Sequence, residues 1–266
     1  MRENFRNLAR EALDRASEMT RAGDHGLRYA ALELRLAMEA LTYDRAEAYR
    51  SEIPPEEYLT WQPRKLLALL LEIDPHADAS STLRFGIETE FGERPDEMRE
   101  IGAEVVLDNS ALKKHYDALG SYLHMPTLGQ LDQATDSERL ARLRSRCAEV
   151  AAKLEDVLAS GVFNLTFGNF ATIQCGRCAK PIRKRIPDAQ EREARCFACG
   201  AVYTVRENSD RGVTWRPAQE KAVCPGPECD VAVWIWKDEI EVGTRWTCEG
   251  CGKKIQIALG LVSVPG

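Results

Sequence analysis

The chain lacks any apolar run near the ~20 residues that a membrane-spanning helix requires, which excludes such a helix. It also lacks an apolar export segment after Met1-Arg2-Glu3-Asn4-Phe5-Arg6, so we expect a cytoplasmic protein with reduced cysteines rather than disulfides. No βαβ pattern accompanies its Cys-x-x-Cys pairs, which argues against a redox-active motif. With 266 residues and 29.8 kDa, the chain has room for one substantial domain and smaller modules.

Positive charge is scarce in the first 160 residues, which contain 21 Lys+Arg and 30 Asp+Glu and have a formal charge of −9. Such a domain is a poor general surface for a polyanion. Residues 161–266 contain 15 Lys+Arg and 12 Asp+Glu, a charge of +3. Residues 175–206 have a charge of +5 and residues 221–254 a charge of −1, before any metal site is counted. If nucleic acid binds, the first of these two segments is the better candidate.

Eight of the nine cysteines form four short pairs near the end of the chain. The pairs are Cys175 with Cys178, Cys196 with Cys199, Cys224 with Cys229, and Cys248 with Cys251. Gaps of 17 and 18 residues separate the first pair from the second and the third from the fourth. This spacing is typical of two successive four-cysteine zinc sites, in which four thiolates surround the metal at about 2.3 Å. Iron–sulfur ligation is the alternative wherever four cysteines converge, but strand-like residues between the pairs favour zinc.

Both sets resemble zinc ribbons, and the resemblance implies one structural zinc ion in each, two per chain. A ribbon has little core of its own, so metal binding would supply much of its folding free energy, on the order of 10 kcal/mol. The ninth cysteine, Cys147, lies on an apolar stripe with Leu143 and Val150. We interpret it as an ordinary core residue.

The pattern of apolar residues predicts an α+β multidomain protein, an all-α helical bundle followed by two small zinc-ribbon β modules. Apolar residues recur every three to four positions up to about residue 160, and every second position beyond Gly161. We predict a helical bundle over 1–160, a first ribbon over 161–207 and a second over 208–266. Residues 74–109 are interpreted as an irregular insertion with a small hairpin, and residues 208–219 as a polar linker that permits relative motion.

Two helical stretches carry a resemblance to a known family. One is Tyr29-Ala-Ala-Leu-Glu33-Leu-Arg35-Leu-Ala-Met-Glu39, and the other runs from His115-Tyr116 to His124 before Pro126. Together they resemble HEPN-like helical domains, which have a helix with an embedded acid and Arg and a late helix that ends in His. The resemblance covers residues 5–160. It implies the helical fold, and proteins of this build often serve in prokaryotic stress or phage defence.

The sequence departs from this family at its nuclease motif. Active members use an Arg, four to six residues and then a His to cleave RNA. Here Asp117, Ala118 and Leu119 stand at the Arg positions before His124, and 108–110 at those before His115. The chain therefore resembles the scaffold without the usual Arg–His pair.

The embedded polar residues have an alternative interpretation. Glu33 and Arg35 are about 200° apart on a helix, so they do not share a face. Arg35 and Glu39 can form a surface i,i+4 ion pair, and His124 can interact with a helix C-terminus. Whether Glu33, Arg35, Glu39 and His124 form a site is open from the sequence alone.

We therefore predict a non-catalytic zinc-ribbon protein that binds DNA or RNA through its basic first ribbon. Phosphate contacts would come from Lys180, Arg183, Lys184, Arg185 and Arg195. The helical domain would oligomerise, for example as a homodimer, or dock a protein partner, and no membrane is involved. One alternative is a protein–protein adaptor with purely structural zinc sites. The other is a HEPN-type ribonuclease, the one enzyme class that the resemblance suggests.

Overall fold

The computed structural model describes residues 4–59, 61–90, 92–133, 135–186, 191–208 and 212–260. The chain divides into two compact units, Met1–Phe167 and Gly168–Gly266. The described residues of the first unit form six helices, α1 to α6, and a hairpin of strands β1 and β2. Their bounds are α1 Phe5–Arg21, α2 Leu27–Ala48, α3 Pro63–Ile73, β1 Ser81–Phe85, β2 Arg99–Glu104, α4 Asn109–Leu123, α5 Leu128–Gln133 and α6 Asp136–Leu158.

Helix α2 is the centre of the helical unit and packs against α1, α3, α4 and α6. Its buried stripe is rich in alanine, including Ala30, Ala31 and Ala37, each fully inaccessible to solvent. Small side chains at these positions let neighbouring helices approach closely while the larger Leu34 and Met38 fill the space between them. The expected core position of Cys147 is confirmed, because its side chain is only 2% exposed within the same apolar core.

The turn between α1 and α2 requires glycine at position 26. A Cβ atom there would lie 2.0 Å from the carbonyl oxygen of Met19, a backbone atom that cannot move aside without shifting α1. Helix α6 begins with a full capping box: the Thr135 hydroxyl accepts from the Glu138 amide, and the Glu138 carboxylate accepts from the Thr135 amide. No helix among the described residues is both long and apolar enough to cross a bilayer.

A hairpin lies within the segment interpreted as an irregular insertion. Strands β1 and β2 pair antiparallel, with a register shift between Leu83 and Arg84. Glu104, the last residue of β2, is buried and forms an ion pair with Arg45 of α2 at 3.1 Å. Arg45 also donates to the Ala77 carbonyl at 2.8 Å. Since both charges have several partners, the buried pair fixes the hairpin to the central helix.

The second unit consists of short antiparallel strands. Their bounds are β3 Phe170–Gln174, β4 Pro181–Arg185, β5 Arg192–Arg195, β6 Val202–Glu207, β7 Val213–Pro217, β8 Gln219–Val223, β9 Ala232–Trp236, β10 Arg245–Thr247 and β11 Lys254–Gln256. Strands β3 and β4, β8 and β9, and β10 and β11 form two-stranded sheets, while β5, β6 and β7 form a three-stranded sheet. A helical region followed by small antiparallel sheets confirms the predicted α+β class.

The expected polar linker at 208–219 differs from the structure. Residues 213–217 are strand β7, which pairs along its whole length with β6, and β8 begins at Gln219. Ala218, between these strands, donates to the Val202 carbonyl at 2.8 Å and accepts from the Lys237 amide at 3.0 Å. The alternation of Val213 and Trp215 was the missed strand signal. Residues 209–211 of the predicted linker lie outside the described part of the chain.

Candidate metal centres and basic surface

Three of the four cysteine pairs share one backbone turn. In the first, the Cys175 amide donates to the Lys180 carbonyl and the Ala179 amide donates back to the Cys175 carbonyl, both at 2.8 Å. The pairs that begin at Cys196 and Cys248 repeat these two hydrogen bonds at 2.8–2.9 Å. The turn holds its two cysteines three positions apart on one tight loop, which is the geometry that a shared metal requires.

The residue after the second cysteine of each such turn adopts a left-handed backbone conformation. Ala179 has φ of 58°, Gly200 of 76° and Gly252 of 69°. Glycine adopts this conformation without steric cost, whereas alanine in the same position is strained. Two of the three turns therefore have the favoured residue, and the first turn does not.

The third pair has a different turn because four residues rather than two separate Cys224 from Cys229. The Cys224 amide donates to the Val231 carbonyl at 3.0 Å, and the Cys229 amide to the Gly226 carbonyl at 3.1 Å. A Cβ atom at Gly226 would lie 3.3 Å from the Cys251 sulfur and 3.4 Å from the Cys224 sulfur. Glycine at this position therefore leaves room for the sulfur atoms to converge.

The eight paired cysteines form two separate clusters, as predicted. The first cluster comprises Cys175, Cys178, Cys196 and Cys199, and the second comprises Cys224, Cys229, Cys248 and Cys251. Within each cluster the sulfurs all lie within 4.8 Å of one another. Close sulfur pairs are 3.6 Å apart in the first cluster, and 3.7 and 3.8 Å apart in the second.

These distances match a single tetrahedral metal ion. Four sulfurs at about 2.3 Å from a central ion are about 3.8 Å from one another. A disulfide would require about 2.05 Å, and every described cysteine is a free thiol. Sulfurs this close can surround one ion but leave no space between them for a polynuclear iron–sulfur core. Both clusters can therefore hold a metal ion of the size and softness of zinc.

The thiols of a cluster resist ionising together, because each thiolate disfavours the next. Burial opposes ionisation of Cys175, but backbone amides of Arg177 and Cys178, with the Tyr203 hydroxyl, outweigh it and lower its pKa to about 6. For Cys199, burial and the neighbouring thiols raise the pKa to about 12. A cation at the centre resolves this conflict, since it stabilises all four thiolates at once.

In the second cluster, too, one thiol has a lowered pKa and another has a raised pKa. The backbone amides of Cys251 and Gly250 lower the pKa of Cys248 to about 7. The amide of Gly226 favours the Cys224 thiolate, yet burial and the neighbouring thiols raise the pKa of Cys224 to about 12. The donor set thus fits a dication in both clusters.

An aromatic core surrounds the first cluster. The Tyr203 hydroxyl accepts from the Gly176 amide at 2.7 Å and donates to the Cys175 sulfur at 3.7 Å. Its ring packs edge-on against Trp236 at 5.4 Å and Trp215 at 6.1 Å between centroids. Tyr203 therefore joins the sulfur cluster to the apolar core. We did not predict this contact, because nothing in the spacing of the sequence indicates it.

Arg177, inside the first cysteine turn, links it to the segment that follows β9. Its guanidinium donates to both Asp238 carboxylate oxygens at 2.7 and 2.9 Å and to the Cys199 carbonyl at 3.0 Å. It also lies 4.8 Å from the Trp236 ring centroid. The hydrogen bonds from Arg177 lower the pKa of Asp238. From the sequence, Arg177 contributes to the positive charge of residues 175–206. In the structure its guanidinium forms contacts within the unit instead.

The second cluster has less protein around it. The apolar cluster of this unit includes Cys175 and Cys196 of the first site but neither Cys224 nor Cys248. Cys251 is exposed and Cys229 half-buried. Trp246, on β10, is likewise only partly buried.

The predicted phosphate-contacting residues lie on two different sheets and, for Lys180, on the turn before β4. Arg183 and Arg185 lie on one face of β4, opposite Thr172 and Phe170 of β3. Their guanidinium carbons lie 3.8 and 4.8 Å from the centroid of the Phe170 ring, so one aromatic ring holds both cations.

The other three residues are not part of this stack. Lys184 alternates to the opposite face of β4, and exposed Lys180 follows the first cysteine turn. Arg195 lies on β5 in the three-stranded sheet, where it forms an exposed ion pair with Glu193 at 3.6 Å.

The polar residues of α2 and α4 on which the resemblance to HEPN-like domains rests are only partly brought together. The Tyr116 hydroxyl donates to Glu39 at 2.5 Å, and the Arg35 guanidinium lies 3.9 Å from the centroid of the Tyr116 ring. Glu33 instead pairs with Arg15 of α1 at 3.0 Å. His124 is the exposed C-cap of α4, and no hydrogen bond or ion pair among the described residues joins it to Arg35.

The chain was compared with protein-family models, curated proteins and solved structures, and none of them matches.

Proposed function

We propose that the second unit is a nucleic-acid-binding module whose fold depends on two structural zinc ions, one in each cysteine cluster. The sulfur separations of 3.6–3.8 Å support the metal assignment. All four ligands in each cluster are protein thiolates, so no coordination position remains for a substrate water. The ions therefore stabilise structure and perform no chemistry.

The stack of Arg183 and Arg185 on Phe170 is the observation that carries the binding role. Residues 168–186 contain five Lys+Arg and no Asp or Glu. Arg177 is occupied internally, which leaves the β3–β4 hairpin as the concentrated positive surface. Stacking on a ring occupies the face of a guanidinium rather than its N–H edges, so it does not compete with phosphate oxygens for those donors, and the ring limits the conformations that the side chain must lose on binding.

This arrangement predicts backbone recognition with little dependence on sequence. Each phosphate neutralised by an arginine releases bound counterions, so affinity falls as salt rises. Half-buried Phe170 offers some stacking surface, but its ring already contacts two cations. We therefore expect phosphate contacts to dominate over base contacts.

The test is fluorescence anisotropy of labelled single- and double-stranded DNA and RNA from about 50 to 300 mM salt. The Arg183→Ala/Arg185→Ala double variant should bind at least tenfold more weakly and reduce the salt slope by about two. The matched control is Arg245→Ala/Lys254→Ala, which removes the same charge from the β10–β11 hairpin. Absence of binding by the native protein at about 50 mM salt, or equal losses in both variants, refutes the proposal.

A protein-adaptor role is the second candidate, and Trp234 favours it. Trp234 and Trp236 are two positions apart, a spacing that on a strand predicts one shared aromatic face. In the structure Trp236 is 8% exposed within the core, while Trp234 is 58% exposed opposite Lys221 of β8. A large exposed aromatic ring is typical of binding surfaces. Loss of a copurifying protein in Trp234→Ser, but not in Arg183→Ala/Arg185→Ala, would favour the adaptor.

For the helical unit we propose self-association. Tyr29, Leu32 and Leu36 lie at i, i+3 and i+7 on α2 and are 63%, 43% and 40% exposed. Light scattering should give a dimer for the native chain and a monomer for Leu32→Glu. A monomeric native chain would contradict this part of the proposal.

A further inference from the structure

The second cysteine cluster contains one sulfur ligand that solvent can reach. Among the nine cysteines, all of which the structure describes, Cys251 alone is exposed. Its cluster partners Cys224 and Cys248 are only 4% and 2% exposed, and Cys229 is half-buried. Coordination of a structural ion does not require this exposure, since no cysteine of the first cluster is exposed. An accessible thiolate grouped with other thiolates is the kind of cysteine that oxidants modify first.

Cys251 also has a close sulfur partner within its cluster. Its sulfur lies 3.7 Å from that of Cys224. A disulfide has about 2.05 Å between its sulfurs, so this pair would have to close by roughly 1.7 Å. Cys229 and Cys248 form the other close pair, at 3.8 Å. The cluster therefore places the exposed sulfur within reach of a buried disulfide partner.

Glycines border the Cys224–Cys251 pair. A Cβ atom at Gly226 would lie 3.3 Å from the Cys251 sulfur and 3.4 Å from the Cys224 sulfur. Because glycine has no side chain, space remains beside both sulfurs for a small oxidant and for the movement that joins them. Gly250 and Gly252 flank Cys251 in the chain, so neither neighbour has a side chain that could shield its sulfur.

The first cluster has similar sulfur spacing but more contacts around its ligands. The Tyr203 hydroxyl donates to the Cys175 sulfur at 3.7 Å. The Arg177 guanidinium donates to the Cys199 carbonyl at 3.0 Å, and it is itself held by Asp238. These contacts resist the movement that a disulfide would require. The two clusters therefore differ in their access to oxidants rather than in the type of their ligands.

We propose that the second cluster is a site of reversible oxidation by peroxides, in which Cys251 and Cys224 form a disulfide and the cluster releases its zinc ion. This inference rests on the zinc assignment made under the proposed function. The Cys251 thiolate attacks one peroxide oxygen, which breaks the O–O bond and gives a sulfenic acid and hydroxide. The Cys224 thiolate then attacks the oxidised sulfur and displaces a second hydroxide. Two thiolates are thereby oxidised to one disulfide, and hydrogen peroxide is reduced to two hydroxide ions.

Loss of the metal would change a defined part of the second unit. The two thiolates that remain, on Cys229 and Cys248, cannot complete a tetrahedral site. Strands β10 and β11 pair through three residues each, with Cys248 and Cys251 in the turn between them. Such a short sheet is marginal without support. Oxidation should therefore disorder this hairpin and leave the β3–β4 hairpin, which flanks the first cysteine turn, folded.

The test exposes the zinc-loaded full chain to a molar excess of hydrogen peroxide and follows released zinc with a chromogenic chelator. Metal content measured before oxidation tests the zinc assignment separately. One of two bound ions should be released at least about tenfold faster than the other. Peptide mapping without reduction should find the Cys224–Cys251 disulfide and a free thiol at buried Cys147. Dithiothreitol and added zinc should restore the original metal content.

Histidine in place of the exposed ligand separates coordination from oxidation. Cys251→His keeps a zinc-ligating atom but cannot form a disulfide, so it should retain both ions and release the second-cluster ion about tenfold more slowly than the native chain. Cys199→His is the matched control, because it changes the corresponding ligand of the first cluster and should leave the native release rate unchanged.

The outcomes distinguish this proposal from the zinc assignment on which it rests. Two bound ions that peroxide releases at equal rates, a disulfide that lacks Cys251, or equal slowing in both histidine variants overturns the proposal and leaves the zinc assignment intact. Fewer than two zinc ions before oxidation contradicts both. The nucleic-acid role of the β3–β4 hairpin does not depend on this result.

Discussion

The two cysteine clusters have nearly the same sulfur geometry but different surroundings. Close sulfur pairs are 3.6 Å apart in the first cluster and 3.7–3.8 Å apart in the second. The first is joined to a core that contains Tyr203 and Trp236, and Arg177 adds an ion pair across it. The second has an exposed ligand, Cys251, and no comparable aromatic contact among the described residues.

This difference separates two sources of stability. Around the first cluster, a bound metal would act together with apolar burial, because Tyr203 contacts both the Cys175 sulfur and the tryptophans. Around the second, short two-stranded sheets bury little apolar surface, and such sheets are marginal alone. A bound metal would therefore contribute a larger share of the folding free energy there.

Chelation should have the largest effect and should act on the second cluster first. Structural zinc contributes on the order of 10 kcal/mol, so its removal should unfold the sheets that it holds. We expect alkylation by a maleimide, followed by mass spectrometry, to modify Cys224, Cys229, Cys248 and Cys251 before the first cluster. Cys147 is the internal control, because burial raises its pKa to about 11 and it belongs to the helical core. Alkylation of the first cluster before the second would contradict the expectation that the second depends more on its metal.

Substitution of a single cysteine ligand should distinguish the clusters by whether the aromatic contacts are lost together with the metal. Cys251→Ser and Cys196→Ser should each reduce bound metal from two ions to one. Only Cys196→Ser should also disrupt the Tyr203–Trp236 contact, which near-ultraviolet circular dichroism detects. Cys147→Ser should keep both ions and cost the helical unit about 1–2 kcal/mol. Identical spectra for the two ligand variants would show that the surroundings are equivalent.

Substitution of glycines within the cysteine turns tests the difference between the two clusters with a smaller expected effect. A Cβ atom at Gly250 would lie 2.4 Å from a Val231 methyl carbon and 3.3 Å from its Cβ, whereas at Gly176 the nearest neighbour is the Tyr203 hydroxyl at 3.5 Å. Gly250→Ala should destabilise its site by about 2 kcal/mol, and Gly176→Ala by less than about 0.5 kcal/mol. Competition with a chromogenic chelator measures both. Equal zinc affinities in the two variants would contradict this expectation.

Substitutions at the three residues with positive φ should give the smallest changes in the free energy of unfolding. Gly200→Ala and Gly252→Ala should each cost about 1 kcal/mol, since alanine is strained at positive φ. Ala179→Gly relieves the same strain but gains chain entropy on unfolding, so we expect a change within about 0.5 kcal/mol of zero. Thermal unfolding of the zinc-bound protein provides the measurement. Stabilisation of more than about 1 kcal/mol by Gly252→Ala would show that its φ is not enforced.

The sequence predicts those features that depend on local spacing. The cysteine pairs identify all eight clustered sulfurs, because a metal site constrains the number of residues between its ligands. The three-to-four-residue periodicity likewise predicts the helices and places Cys147 in their core.

Contacts between distant residues are not predictable in this way. Arg177 and Asp238 are 61 positions apart, and the cysteine motif around Arg177 does not indicate which residue it contacts. The same holds for Tyr203 and Trp236, whose rings pack against each other in the core of the second unit. Strand β7 was missed because its polar residues resemble a linker, although pairing with β6 satisfies its backbone.

Elemental analysis of the purified full chain decides whether each cysteine cluster holds one zinc ion. We expect two zinc atoms per chain, one in Cys251→Ser or Cys196→Ser, and two in Cys147→Ser. A native protein with fewer than two zinc atoms when prepared with zinc present, or with iron in their place, would show that the clusters are not zinc sites.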